Sequence, residues 1–315
     1  YASWVHHIKS PNIGGTVTLS ASDSRREDDS ISLIQSSSFA DRERETASLN
    51  HRRGLHANAR LQWRLGVGSQ LILMPFMVYS ESDSQGAVSV RSQAGVSDAA
   101  QTQGESRFAM ARLNGQLVQR FSENDRLEAR FSIGQSRYDN QSLRSGASEV
   151  VADNGQPLLR NGIETQGFID DSASLTGKWS RMLGNGHQWV SGLEYERVHR
   201  DEEGNAAALD EGGDLNAGTR RWAIYTQDEF QINANWSAYG GLRYETLLTE
   251  GTLAGVLKRN DSAVWTPLVH AVFKPDPKRR DQIRMSLTRS YKTPSLYQLV
   301  ARYVPSIRSE EHTSE

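Results

Sequence analysis

The chain has 315 residues with a formal net charge of −2, so no overall basic field points to nucleic acid as a partner. It contains no cysteine, which excludes a disulfide framework and a thiolate metal site. A mean hydropathy of −0.62 looks like a soluble polar protein. That reading is unsafe, because a membrane β-barrel is apolar on its outer face alone.

No segment reaches the run of about 18 apolar residues expected of a membrane helix. The longest apolar run, Leu71 to Tyr79, contains Pro75. The chain starts at Tyr1 rather than Met, and we expect that residues upstream are missing.

The dominant period along the chain is two. After a partial strand near 1–8 and a weak one over 16–23, the first clear case is Leu55, Ala57, Ala59, Leu61, Trp63 and Leu65, with His56, Asn58, Arg60, Gln62 and Arg64 between them. Such alternation marks a strand with one apolar and one wet face. Weaker versions follow over 70–80 and 105–119. Leu127, Ala129, Phe131 and Ile133 then alternate with Arg126, Glu128, Arg130 and Ser132. Further strands are expected over 169–182, 188–199, 219–232, 236–245, 263–274 and 282–288, about twelve in all. Pro75 and Pro267 lack the donor that a central strand uses, so each predicts a bulge or a strand boundary.

The connections alternate too. Short ones hold turn residues: Gly66-Val67-Gly68-Ser69, Ser122-Glu123-Asn124-Asp125, Gly184-Asn185-Gly186-His187, Asn233-Ala234-Asn235 and Pro275 to Arg280. Between them we expect long polar loops at 24–54, 81–104, 139–168, 200–218 and 250–262. In an up-and-down sheet successive connections lie at opposite ends. Tight turns at one end and long loops at the other are what outer-membrane barrels show. The expected fold is therefore all-β, an antiparallel up-and-down meander forming part of a large transmembrane β-barrel. A soluble sandwich or propeller fits less well, since its turns recur every 8–12 residues.

Two segments resemble a known family. Trp222-Ala223-Ile224-Tyr225-Thr226-Gln227-Asp228-Glu229-Phe230, followed by Trp236 to Glu245 with Gly241-Leu242-Arg243-Tyr244-Glu245, is similar to a hairpin of TonB-dependent outer-membrane receptors. Leu287 to Leu299, with Ser290-Tyr291-Lys292-Thr293-Pro294-Ser295-Leu296-Tyr297, resembles a second segment of that family. The resemblance covers 222–299 and extends loosely to residue 16. It implies a fragment carrying about 12 of an expected 22 strands. Against that family pattern, the N-terminal plug, the segment that contacts TonB and the last strand are expected to be missing from this stretch of chain. Ile13-Gly14-Gly15-Thr16-Val17 reads equally as the end of a plug or as a turn and barrel strand. A half-barrel leaves two unpaired edges, so the fragment is expected not to fold stably alone.

The resemblance further implies a receptor of the Gram-negative outer membrane that takes up a scarce bulky solute, energised through TonB. The solute would be a ferric siderophore, cobalamin or an oligosaccharide. The alternatives are a passive porin-like channel and a barrel-embedded hydrolase. No catalytic residue, cofactor or metal site is assigned. His6-His7, His51 and His56 lack metal-binding spacing, no Gly-x-Ser-x-Gly elbow occurs, and Asp170-Asp171 and Asp201-Glu202-Glu203 read as charged loop tips.

Trp222, Phe230, Trp236 and Tyr244 share one face and suit the aromatic girdle at the lipid–water interface. Arg243 and Glu245 share the opposite face, where pairing is expected. Candidate ligand contacts are Arg91, Tyr138, Arg144, Arg160, Arg200, Arg220 and Arg221, since forked arginine donors suit anionic chelates. Pairing of these arginines with lipopolysaccharide or loop carboxylates is the blander reading. The domain reading is a partial barrel over 1–307. Residues 308–315, Arg308 to Glu315, look like a translated sequencing adapter and are set aside.

Overall fold

The computed structural model describes residues 1–34, 42–92, 95–148, 162–205, 214–253, 256–276, 278–279 and 281–289. Twelve strands run in chain order: β1 (Ala2–Lys9), β2 (Ile13–Ile34), β3 (Arg42–Gly66), β4 (Ser69–Ser92), β5 (Gly95–Arg120) and β6 (Asp125–Ser148). They continue as β7 (Gly162–Met182), β8 (His187–Asn205), β9 (Leu215–Gln231), β10 (Trp236–Leu253), β11 (Val256–Phe273) and β12 (Ile283–Thr288). Each pairs antiparallel with its chain neighbours in one 12-stranded sheet, with β1 and β12 at its edges. Every strand expected from the alternation is present, and the Ile13–Val17 segment is the start of a barrel strand paired on both sides.

The register sorts side chains onto two faces. On one lie the exposed Leu19, Leu55, Met77, Ile133, Leu193, Ile224, Leu242 and Val269. On the other lie the buried Ile72, Val88, Val118, Val190, Ala223 and Leu247. A single sheet has no second layer to cover it, so it buries side chains where curvature makes neighbours converge. The polar face is therefore concave and the apolar face convex. That is the geometry of a barrel wall seen from the lumen and from lipid.

The long polar loops require correction. β2 pairs with β3 without interruption from Ile13–Trp63 to Ile34–Arg42, through most of 24–54. Likewise β5 and β6 pair from Arg120–Arg126 to Asp98–Ser148. The expected loops at 81–104, 139–168, 200–218 and 250–262 are in large part strand extensions, and only 93–94 and 254–255 separate β4 from β5 and β10 from β11. Crossing a bilayer takes about 9–11 tilted residues. β5 has 26. Beyond the bilayer both faces meet water, so the apolar alternation disappears while backbone pairing continues.

The tight end is built as expected. Asn233 Oδ1 accepts from the backbone N–H groups of Asn235 and Trp236, both at 2.9 Å, closing the β9–β10 turn. Ser122 Oγ does the same for Asn124 and Asp125 at 3.1 Å between β5 and β6. Gly68 turns β3 into β4 with φ +72°, a conformation side chains resist.

Neither proline makes a bulge. The ladder between β3 and β4 opens opposite Met74 and Pro75 and resumes in the same register, from Asn58–Phe76 to Leu61–Leu73. Arg289 N–H donates to Pro267 O at 3.3 Å. A strand residue's N and O point the same way, so the Pro267 nitrogen faces β12 where that ladder ends, and β10 loses no bond.

β2 and β3 approach closely at Gly15, where an added Cβ would lie 2.4 Å from the Arg60 carbonyl oxygen. Backbone cannot swing aside as a side chain can. Gly15→Ala is expected to destabilise the barrel by about 1–3 kcal/mol, measured by urea unfolding in lipid vesicles.

Candidate functional site

The convex face carries aromatic residues at two levels. On β9 they are Trp222 and Phe230, on β10 Tyr244 and Trp236, and on β11 Trp265 and Phe273. The pairs Tyr195–Trp222 and Tyr244–Trp265 have ring centroids 4.3 and 4.6 Å apart. Trp236–Phe273 and His187–Phe230, next to the tight turns, lie at 4.7 and 5.0 Å. Eight residues separate the levels on all three strands, which is about 26 Å along a strand. Allowing for tilt, the span is close to the apolar band of about 25 Å between the girdles of outer-membrane barrels. The four aromatic residues picked from sequence fall into these levels, two in each.

Between the levels, the concave face of β8, β9 and β10 carries a charge network. Arg243 donates both Nη atoms to Glu194, at 2.9 and 2.8 Å, and Nε and Nη2 to Glu245 Oε2, at 3.1 and 2.8 Å. Arg221 pairs with Glu196 at 2.9 Å and with Glu245 at 3.4 Å. The expected pairing of Arg243 with Glu245 is present. Glu194 and Glu196 were not singled out from sequence. Their signal was available: both sit at the polar positions of the 188–199 alternation.

A second cluster lies farther from the tight turns. Arg200 makes two hydrogen bonds to Asp170, both 2.5 Å, and its guanidinium lies 4.5 Å from the centre of the Phe168 ring. Tyr138 packs on the same ring at 5.3 Å. Gln166 donates to the buried Glu202 at 3.3 Å, and Glu202 lies 3.9 Å from Arg200. Hydrogen bonding to Asp170 raises the Arg200 pKa against the opposing effect of burial, so this group stays cationic.

The seven candidate ligand residues separate accordingly. Tyr138 and Arg200 come together through Phe168, while Arg144 and Arg221 lie on the same concave face at other positions. Arg220 points to the convex face beside Trp222 and pairs with Glu250 at 3.7 Å. Arg91 pairs with Glu45 at 3.6 Å on that face too. Arg160 lies outside the described residues. Asp170 and Glu202 belong to the lumenal cluster rather than to loop tips. Among the described residues no group of three His, Cys, Asp or Glu could hold a metal ion.

An apolar convex wall banded by aromatic residues, backed by an ion-paired concave wall in an up-and-down meander, defines a segment of an outer-membrane-type β-barrel. The family described as "TonB dependent receptor-like, beta-barrel" matches residues 62–313. The chain belongs to that family. No curated protein matches it significantly.

Three solved structures share similarity with this chain. BauA, the ferric preacinetobactin receptor from Acinetobacter baumannii, shares 15% identity over 87% of this chain and 44% of its own, with a TM-score of 0.43. The ferric citrate transporter FecA in its unliganded form shares 16% over 83% and 42%, with a TM-score of 0.37. The outer membrane protease OmpT from Escherichia coli shares 10% over 83% and 96%, with a TM-score of 0.30. The chain thus spans less than half the length of BauA and FecA.

Proposed function

We propose that this chain is the barrel part of a Gram-negative outer-membrane receptor that takes up a scarce, bulky, anionic solute such as a ferric siderophore, energised through TonB. Family membership supports the reading, and the observation that carries it is the two-level aromatic band on a wall whose lumenal face holds ordered arginines. Family membership favours transport over catalysis as the role.

Tyr138, Arg144, Arg200 and Arg221 present cationic and aromatic groups toward the lumen and are the proposed solute contacts. Arg91 and Arg220, on the outer face, would meet lipopolysaccharide instead. Arginine's planar fork suits carboxylate and hydroxamate chelates.

The test is uptake of radiolabelled ferric chelates by cells carrying the complete receptor gene, with and without a functional TonB and with a proton uncoupler. Uptake is expected to vanish in both treatments. Uptake that persists would identify a passive channel.

A further inference from the structure

The apolar band on the convex face of β8 to β11 has one charged break. Among the described residues between the two aromatic levels there, Asp228 of β9 is the one carboxylate or cation. It lies two residues from Phe230, about 7 Å along the strand toward the middle of the band. At a strand tilt of about 40° this is about 5 Å inside the lower aromatic level. An ionisable group at such a depth is costly and marks a contact that offsets the cost.

The protein's own contacts satisfy Asp228 only in part. His187 Nδ1 lies 2.7 Å from Asp228 Oδ2, while Oδ1 has no hydrogen bond. An ionised carboxylate has about four acceptor sites. The polar side chains beside it are occupied with one another. Trp189 Nε1 donates to Ser191 Oγ at 2.8 Å, and Ser191 meets Thr226 at 3.0 Å. Lipid tails offer no donor, so a further donor at this face comes from a headgroup.

The register sets an opposite charge at a fixed distance. Arg181 of β7, Trp189 of β8, Asp228 of β9 and Gly240 of β10 form one row across the convex face. Arg181 and Asp228 are two strand spacings apart, about 10 Å. The exposed Trp189 ring stands between them. Arg181 is half exposed, and its ion pair with Asp125 is long, at 3.6 Å. Beyond Asp228, Gly240 leaves a notch, since an added Cβ there would meet no atom within 4 Å.

We propose that this row is a docking site for a phosphatidylethanolamine headgroup of the periplasmic leaflet. The tight turns of outer-membrane barrels face the periplasm, so the lipid at the lower level is phospholipid. The headgroup is a zwitterion. Its phosphate meets the Arg181 fork, and its ammonium meets Asp228 across Trp189. The order of charges commits the site to this occupant. Phosphatidylglycerol would satisfy Arg181 and leave Asp228 without a cation. Phosphatidylcholine brings a positive charge but no N–H. An ammonium supplies three donors to the carboxylate, and the Trp189 face adds a cation–π contact. The inference rests on the outer-membrane placement of the wall and not on what the barrel transports.

The experiment uses the complete receptor in detergent micelles, mixed with equal amounts of phosphatidylethanolamine, phosphatidylcholine and phosphatidylglycerol of matched chains. Native mass spectrometry counts the lipid that stays bound. Phosphatidylethanolamine adducts are expected to exceed phosphatidylcholine adducts at least about fivefold, the scale of a charge-assisted hydrogen bond. Asp228→Asn should bring that ratio close to one. Arg181→Gln should lower the retention of all three lipids, because each carries a phosphate. Gly240→Leu should fill the notch and reduce phosphatidylethanolamine adducts. A heat-modifiable band on unboiled gels checks folding, and Gly240→Leu carries the test if Asp228→Asn does not fold.

Equal retention of phosphatidylethanolamine and phosphatidylcholine would overturn the proposal, as would a preference for phosphatidylglycerol. So would a phosphatidylethanolamine preference that survives Asp228→Asn and Gly240→Leu, which would place the lipid elsewhere on the wall, or an Arg181→Gln variant that retains all three lipids unchanged. Uptake that persists without TonB, with the lipid preference intact, would refute only the transport reading.

Discussion

Arg243→Ala in the complete receptor is expected to destabilise the barrel by about 2–3 kcal/mol, read as a lower urea midpoint for unfolding from lipid vesicles. Its guanidinium makes four hydrogen bonds, two to Glu194 and two to Glu245. Removing it leaves Glu194 of β8 and Glu245 of β10, on either side of β9, with the longer contacts of Arg221, 3.6 Å to Glu194 and 3.4 Å to Glu245. The side chain is one quarter exposed, which places the cost below that of a fully buried pair. Coupling gives a sharper reading. If the fork between Arg243 and Glu194 carries the energy, Glu194→Gln added to Arg243→Ala should cost well under the sum of the single changes. Additive effects would mean that the arginine acts through packing alone. Arg220→Ala, which removes a 3.7 Å pair between exposed groups, should change stability by no more than about 0.5 kcal/mol.

Val269→Arg should cost about 2–4 kcal/mol, while His270→Arg on the next residue should cost about 0–1 kcal/mol. Val269 is midway between Trp265 and Phe273 on the convex face and directly opposite Gly240, itself midway between Trp236 and Tyr244. That position is the centre of the apolar band, where an arginine has neither water nor a headgroup within easy reach. His270 faces the polar lumen, opposite Tyr239. Urea unfolding from vesicles measures both variants. Equal costs at the two positions would contradict the assignment of faces, because it rests on the period-two sorting of side chains across this sheet.

The strands within the bilayer were legible because lipid and water on opposite faces force a period of two. Leu55 to Leu65 and Trp236 to Glu245 show it in their residue types alone. The strand extensions were not legible. Glu81 to Gln85 and Asp139 to Ser142 are polar at every position, so their residue types carry no alternation, and they resemble loops although they pair residue for residue with their neighbours. The prolines misled for a related reason. A missing donor matters only on the side where the ladder runs, and sequence does not say which side that is.

The amino-acid sequence by itself determined the class of fold, the order and number of strands, the tight end of the sheet and which aromatic residues share its outer face. These are properties of one strand or one turn, set by short-range periodicity and turn chemistry. Only the tertiary structure decided which charges meet. Arg243 reaches Glu194 across two ladders and 49 positions of chain. Arg220 and Arg221, neighbours in sequence, part to opposite faces of the wall. The charges of β8 to β10 become one network when three strands are set side by side, because interstrand register, not sequence distance, fixes the spacing between charges.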